Sequence, residues 1–270
     1  MANSVLEFNQ LKITLISDGH TFMPNSVFPA FVPSRHNLPC EDMFQLPISA
    51  FLIQGLGRNV LVDTGSAGNF GPDAGRFCEN LVATGLRPDE IDTVFLTHLH
   101  SDHYGGLRNR MGEAAFPKAR LKLSTVEWRG VHDQDLIAKM SEEDRAGLNR
   151  IHSFLEPYRE RTDLVQDGDE IMAGVRVMAL PGHTAGHSGL VAQSGTQEIL
   201  IMGDIFHNPA YQLANPSLSV IYDDDPEQAA RTRVEVLSQA AINDTILAGA
   251  HLGSANFNRI ETHEMGFRQK

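Results

Sequence analysis

Cysteine is almost missing from this chain. Cys40 and Cys78 are the only two in 270 residues and stand far apart, which excludes a disulfide framework and fits reduced thiols. Basic residues are also scarce, 22 Lys and Arg against 34 Asp and Glu, for a formal charge of −12. They are scattered singly, so no basic run exists to follow a phosphate backbone, and no nucleic-acid partner is expected. No stretch reaches the roughly 20 apolar residues of a membrane-spanning helix, so no membrane partner is expected either. The N-terminus, Met1 to Glu7, lacks the basic and apolar blocks of an export signal, which predicts a cytoplasmic location. Neither a Ser-x-x-Lys nor a Gly-x-Ser-x-Gly run occurs, so no serine nucleophile of those types is available.

What remains is the composition of an ordinary soluble globular protein, 41% hydrophobic and 21% charged. With no internal repeat and no linker, the chain reads as a single domain over 1–270. Lys12 to Ser17 reads as a strand ending at the turn-forming Asp18-Gly19. Prolines 24, 29, 33, 39 and 47 then crowd among Phe22, Phe28, Phe31 and Phe44. That density predicts an irregular loop over about 21–47, whose aromatic rings rest on the core, a partner subunit or a substrate pocket. Strands are expected at 48–53 and 59–62 across a Gly55-Leu56-Gly57 turn, at 91–97, near 121–124, and at 170–180, 188–192, 198–202 and 245–248. Helices are expected at about 74–84, 125–129 and 142–158, and from Pro226 at the first helical position to Ala240.

The segment His98-Leu99-His100-Ser101-Asp102-His103 places three imidazoles and a carboxylate in six residues, directly after an apolar run. Such groups suit zinc or a first-row neighbour. Positions i, i+2, i+4 and i+5 fan around a helix axis, so a loop leaving a strand is needed to converge them. The alternative is a solvated, His-rich loop. Four further groups stand just past β-like runs: Asp63, His183, Asp204 and His251. Loops at the ends of packed strands collect at one edge of a layered α/β fold, which is where sites form.

The His-x-His-x-Asp-His run, in this order and context, resembles that of the metallo-β-lactamase-fold hydrolases, and the resemblance covers nearly the whole chain. It implies an α/β fold, an αββα sandwich, with two divalent metal ions, zinc foremost and manganese, iron or cobalt as alternatives. By the same resemblance His98, His100 and His183 would bind one metal. Asp102, His103 and His251 would bind the other, and Asp204 would bridge both. Asp63 matches the family's Val-Asp-Thr-Gly aspartate, which supports the site from behind, and His187 is expected in a similar supporting place. The implied chemistry is hydrolysis by a metal-bridging hydroxide, with Asp102 or Asp204 shuttling the proton to the leaving group.

Within that family, Gly203-Asp204-Ile205-Phe206-His207 resembles the Gly-Asp-x-x-His segment of the methyl parathion hydrolase-like and related lactonase branch. The resemblance implies a lactonase or an aryl or carboxylic esterase. Alternatives are an organophosphate triester hydrolase, a glyoxalase-II-like thioesterase, and a mononuclear iron sulfur dioxygenase. His207, Tyr104, Phe28 and Tyr211 are the candidate substrate contacts, with Tyr222 a further possible hydrogen-bond donor. Trp128 is expected to pack as a helix residue. A small, neutral, fairly apolar substrate is expected, since an acidic protein repels a polyanion, and a homodimer is compatible with the exposed aromatic loop.

Overall fold

A computed structural model describes residues 4–30 and 42–270. Phe31, Pro33, Pro39 and Cys40, which belong to the expected loop, lie outside the described residues. The chain divides into two compact units: Met1–Gly19 with Ile48–Gln166, and His20–Pro47 with Asp167–Lys270.

The first unit is built on a seven-stranded sheet of order β1-β2-β3-β4-β5-β6-β7. The strands are β1 (Val5–Phe8), β2 (Leu11–Pro24), β3 (Met43–Gly55), β4 (Arg58–Val62), β5 (Thr93–Leu96), β6 (Arg120–Ser124) and β7 (Thr162–Val165). β2 and β3 run on beyond the unit's boundary. β3 and β4 form a hairpin whose two turn residues, Leu56 (φ 50°) and Gly57 (φ 73°), both have positive φ, the geometry that matches strand twist. From β4 onward the pairing is parallel, so the loops after β4 and β5 leave by the same edge. Helices α1 (Phe77–Val82), α2 (Ser101–Tyr104), α3 (Thr125–His132), α4 (Gln134–Lys139) and α5 (Glu142–Leu155) join the strands. Ser124, Asp133 and Ser141 cap the last three through side-chain oxygens. Leu52, Leu61, Val94, Leu96, Leu121 and Leu123 make the core of this unit with Phe77, Phe116 and Tyr158.

The second unit holds a five-stranded sheet of order β12-β11-β10-β9-β8 and a separate hairpin, β13 (Ile260–His263) with β14 (Gly266–Gln269). Its strands are β8 (Glu170–Met172), β9 (Val175–Ala179), β10 (Ser188–Ser194), β11 (Gln197–Ile201) and β12 (Ile246–Ala248). β9 and β11 both run antiparallel to β10, and β12 runs parallel to β11. The loops after β9, β11 and β12 therefore leave by one edge, and these loops carry His183, Asp204 and His251. Helices α6 (Pro209–Ala214) and α7 (Pro226–Asn243) complete the unit. Asp225 caps α7 through Gln228 N, with Pro226 at its first position as expected.

Three expectations are corrected. Asp18-Gly19 does not turn the chain; β2 continues to Pro24. The Asp18 carboxylate instead accepts from Ser66 N and Phe77 N, and Gly19 (φ 117°) passes so close to Asp73 O that a Cβ would lie 1.9 Å from it. The pair serves close packing, not a turn. Residues 21–47 are not irregular throughout, because β3 starts at Met43 with Phe44 and Leu46 buried between exposed Met43 and Gln45. That alternation outweighs the proline count. The run 170–180 is two strands, reversed at Ala173-Gly174, where Gly174 takes φ 79°. Strands β1 and β7, helices α4 and α6 and the terminal hairpin are additions to the sequence reading.

Gly182, before His183, has φ 129°, and a Cβ there would stand 2.2 Å from Ala229 N on α7. Gly182→Ala is expected to cost about 3 kcal/mol, a value typical of overpacking against fixed backbone. Urea denaturation of the metal-free protein measures it.

Candidate metal centre

In the first unit the cluster sits just past β5. His98 and His100 precede α2, and Asp102 and His103 lie on its single turn, so the His pair is loop and the Asp-His pair helix. His98 Nε2 is 3.0 Å from His100 Nδ1, and the His98 and His103 rings are 4.0 Å apart. His103 Nε2 lies 3.8 Å from Asp102 Oδ2. Asp63, held in the left-handed region at φ 62°, organises the back of this cluster. Its carboxylate accepts from Thr97 N at 2.8 Å and from the Thr97 hydroxyl, and pairs with His103 Nδ1 at 2.8 Å. The hydroxyl has one hydrogen, and giving it to Asp63 leaves Thr97 Oγ1 to accept from His98 Nδ1 at 3.0 Å. Glu127 of α3, itself buried, accepts the Leu99 N–H at 3.0 Å and so fixes the peptide between the two His residues.

In the second unit three imidazoles surround one carboxylate. Asp204 Oδ2 lies 3.1 Å from His251 Nε2, 3.4 Å from His183 Nε2 and 3.5 Å from His207 Nε2. All four side chains are buried, and Asp204, His207 and His251 form a group able to hold a metal ion. Two of these rings are committed on their far sides. His183 Nδ1 meets Asp223 Oδ1 at 2.9 Å, and His251 Nδ1 meets the Pro47 carbonyl at 2.6 Å. His187 Nδ1 donates to Leu180 O, which leaves its Nε2 to accept the Asp204 N–H at 3.0 Å. His187 thus holds the backbone of the Asp204 loop.

These commitments decide whether a cation fits. A carbonyl can only accept, so the Pro47 carbonyl requires the proton of His251 on Nδ1; the carboxylate of Asp223 asks the same of His183. Neutral rings then turn the lone pairs of both Nε2 atoms toward a carboxylate oxygen, an arrangement that repels until a proton or metal ion lies between. Burial opposes a proton on His183, but its hydrogen bonds to Asp204 and Asp223 outweigh burial and push the imidazole up to about 9. His207 goes the other way. Burial holds its imidazole well below the ordinary histidine range, against the attraction of Asp204, and its Nδ1 meets no hydrogen-bond partner among the described residues. The donor set of histidines and aspartates fits a divalent ion of the zinc type.

The superfamily profile for metallo-β-lactamases matches residues 43–251. The chain belongs to the metallo-β-lactamase superfamily. It is 31% identical over 209 residues to metallo-β-lactamase domain-containing protein 1 of Xenopus laevis, covering 77% of this chain and 72% of that protein. It spans less than two thirds of the length of other curated relatives. Among solved structures, hydrolase AbOPH of the β-lactamase superfamily superposes with a TM-score of 0.90 at 28% identity, covering 99% of this chain and 96% of that one. AidC, a dizinc quorum-quenching lactonase, superposes at 0.89 with 19% identity, over 100% and 97% of the two chains, a likeness of fold. The α/β class and the metallo-β-lactamase fold expected from the sequence are the observed ones, and the superfamily is one of metallo-hydrolases. No helix among the described residues is long and apolar enough to cross a membrane.

The candidate substrate contacts divide between the two units. Tyr104 is buried in the first unit's core, its ring 5.1 Å from Phe154. Phe28 and Tyr211 are buried against each other and Phe44, with the Tyr211 hydroxyl on Asn25 Oδ1. Tyr222 is the exposed ring, 42% accessible and roughly parallel to His207 at 6.5 Å. Trp128 packs partly buried against the first core and stacks on His132. Sequence reasoning missed Asp223, Thr97 and Glu127. Asp223 was legible only as part of the acidic run before α7.

Asp63→Ala leaves two Thr97 donors and the His103 N–H without their buried acceptor. The expected loss is about 3 kcal/mol or more, because each bond to a charged acceptor is worth about 1.5–3 kcal/mol. A thermal melt of the metal-free protein tests this.

Proposed function

We propose that this protein is a binuclear metal-dependent hydrolase that opens lactones or cleaves aryl and carboxylic esters, of the methyl parathion hydrolase-like and lactonase branch. The observation that carries the reading is the convergence of the His183 and His251 Nε2 atoms on a buried Asp204 oxygen, taken together with the intact His-x-His-x-Asp-His run of the sequence. As the family resemblance implies, His98, His100 and His183 would hold one ion, Asp102, His103 and His251 the other, and Asp204 would serve both. Bound there, two zinc-type ions supply Lewis acidity and hydroxide at neutral pH.

The chain's own groups do the rest. Asp102 or Asp204 would take a proton and return it to the departing alkoxide. His207, kept neutral by burial, presents an imidazole to the substrate without adding a positive charge that would compete with the ions. Tyr222, exposed beside it, forms the aromatic rim and carries a hydroxyl suited to an oxyanion. The substrate is small, neutral and fairly apolar, since the net charge of −12 disfavours polyanions. The lactonase identity of AidC, a structure of the same fold, supports the substrate class.

Elemental analysis of the purified protein, paired with a screen of lactones, aryl esters, thioesters and phosphotriesters, tests the reading. Two metals per chain with lactone or ester turnover are expected. One iron, no hydrolysis and oxygen uptake with a persulfide would instead indicate the sulfur dioxygenase alternative. Asp204→Ala is expected to lose metal and hydrolysis together, whereas His207→Ala is expected to keep its metals and change substrate kinetics. An Asp204→Ala protein that retains two metals and full activity contradicts the assignment.

A further inference from the structure

Arg233 lies on the largely apolar buried face of α7, with Ala229, Thr232, Val236, Leu237 and Ala240. It is 1% exposed, the largest fully buried side chain among the described residues. An arginine in an apolar stripe carries a heavy desolvation cost unless every donor is used. Its Nε donates to Ile205 O at 2.6 Å, and Nη1 donates to Pro216 O at 2.9 Å and Leu218 O at 2.8 Å. Nη2 stands 3.8 Å from Asp223 Oδ2, a carboxylate whose side chain is fully buried. Burial brings the guanidinium down to about 10, so it stays charged at neutral pH.

Two of these contacts reach residues next to proposed ligands. Ile205 follows Asp204 in the chain, so the guanidinium ties down the loop that carries that carboxylate. Asp223 holds His183 Nδ1 at 2.9 Å, and its other oxygen accepts the Val220 N–H at 3.1 Å. The planar fork of an arginine can reach several acceptors in fixed directions, which a lysine ammonium cannot reproduce.

We propose that Arg233 is a positioning residue of the metal centre: through Asp223 it fixes the His183 ring with Nε2 open to metal, and through Ile205 it fixes the Asp204 loop. Metal affinity then depends on a side chain that touches neither metal nor substrate. The inference rests on the metal reading above and deepens it.

The test compares the native chain, Arg233→Lys and Asp223→Asn. Zinc affinity is measured by competition with a chromophoric chelator, and the number of His183 ring environments by nitrogen-15 NMR of the metal-free protein. Folded Arg233→Lys is expected to bind zinc about 10- to 100-fold more weakly, as loss of a supporting hydrogen bond does in other metal sites. His183, single in the native chain, should then show more than one ring environment. If Arg233→Lys fails to fold, the nearly isosteric Asp223→Asn decides by the same two readouts. A purely structural role would lower the melting temperature and leave the zinc affinity and the single His183 ring environment of the folded variant unchanged, and that result overturns the proposal. A native chain that binds no zinc, manganese or iron removes the metal reading and this inference with it. Native binding with unchanged variants removes only the inference.

Discussion

The fixed orientation of the histidine rings is the constraint on which the rest of this structure depends. His103, His183, His187 and His251 each turn Nδ1 toward an oxygen of Asp63, Asp223, Leu180 or Pro47. A carbonyl or carboxylate oxygen accepts and does not donate, so each contact places a proton on Nδ1 and leaves Nε2 as the nitrogen that can take a second proton or a metal ion. An imidazole left to rotate would distribute its proton between the two nitrogens and lose ordering entropy on binding a ligand. Here that cost is met during folding, by elements that make no contact with substrate. The strand ends deliver the histidines, and the acceptors behind them determine what the rings can bind.

The buried carboxylates divide by what compensates them. Asp18 is fully buried and is met by the backbone N–H groups of Ser66 and Phe77 and by the Ser66 hydroxyl, so it fastens the loop after β4. Asp63 is met by Thr97 and His103, and Asp223 by His183, Val220 N and the nearby guanidinium of Arg233. Asp204 differs, since its Oδ2 is surrounded by three imidazole nitrogens, and two of those rings are held from behind by Asp223 and the Pro47 carbonyl. His183, pushed up to about 9 by its hydrogen bonds to Asp204 and Asp223, brings a proton to that carboxylate. The first three carboxylates are met by neutral donors or a fixed cation, whereas the partners of Asp204 are side chains able to exchange a proton for a metal ion.

The sequence made the candidate site more legible than the scaffold that aims it. Each of Asp63, His98, His183, Asp204 and His251 follows an apolar β run, and the strands β4, β5, β9, β11 and β12 are where those runs predict. The period-two pattern is local, so it survives without tertiary information. Asp223 was not legible, because three consecutive aspartates before Pro226 are what a helix N-terminus calls for and only one of them, Asp225, serves as the cap. Arg233 was hidden by the opposite effect, since an arginine within a helix normally lies on the solvated face. Asp18-Gly19 resembles a turn pair, yet the requirement that brings glycine there is the approach of Asp73 O from a distant loop. Features set by a partner remote in sequence leave no periodic trace.

The segment Gly203 to His207 shows how an irregular loop becomes a rigid one. It has no helix or strand hydrogen bonds of its own, and Gly203 adopts φ 51° to let the chain leave β11 sharply. Side chains from elsewhere in the second unit secure its backbone in turn: His187 accepts Asp204 N, Arg233 donates to Ile205 O, and Gln212 Oε1 accepts His207 N. Each buried tie contributes about 1 kcal/mol or more net, and leaving any one unmade would cost the desolvation of its partner. Continuing β11 as a strand would have satisfied the same atoms, but would set Asp204 and His207, three residues apart, on opposite faces. Irregular backbone held by side chains brings Oδ2 and Nε2 of these residues within 3.5 Å of each other. Leaving the strand turns both groups to the same point, and the buried ties hold that geometry before any ligand arrives.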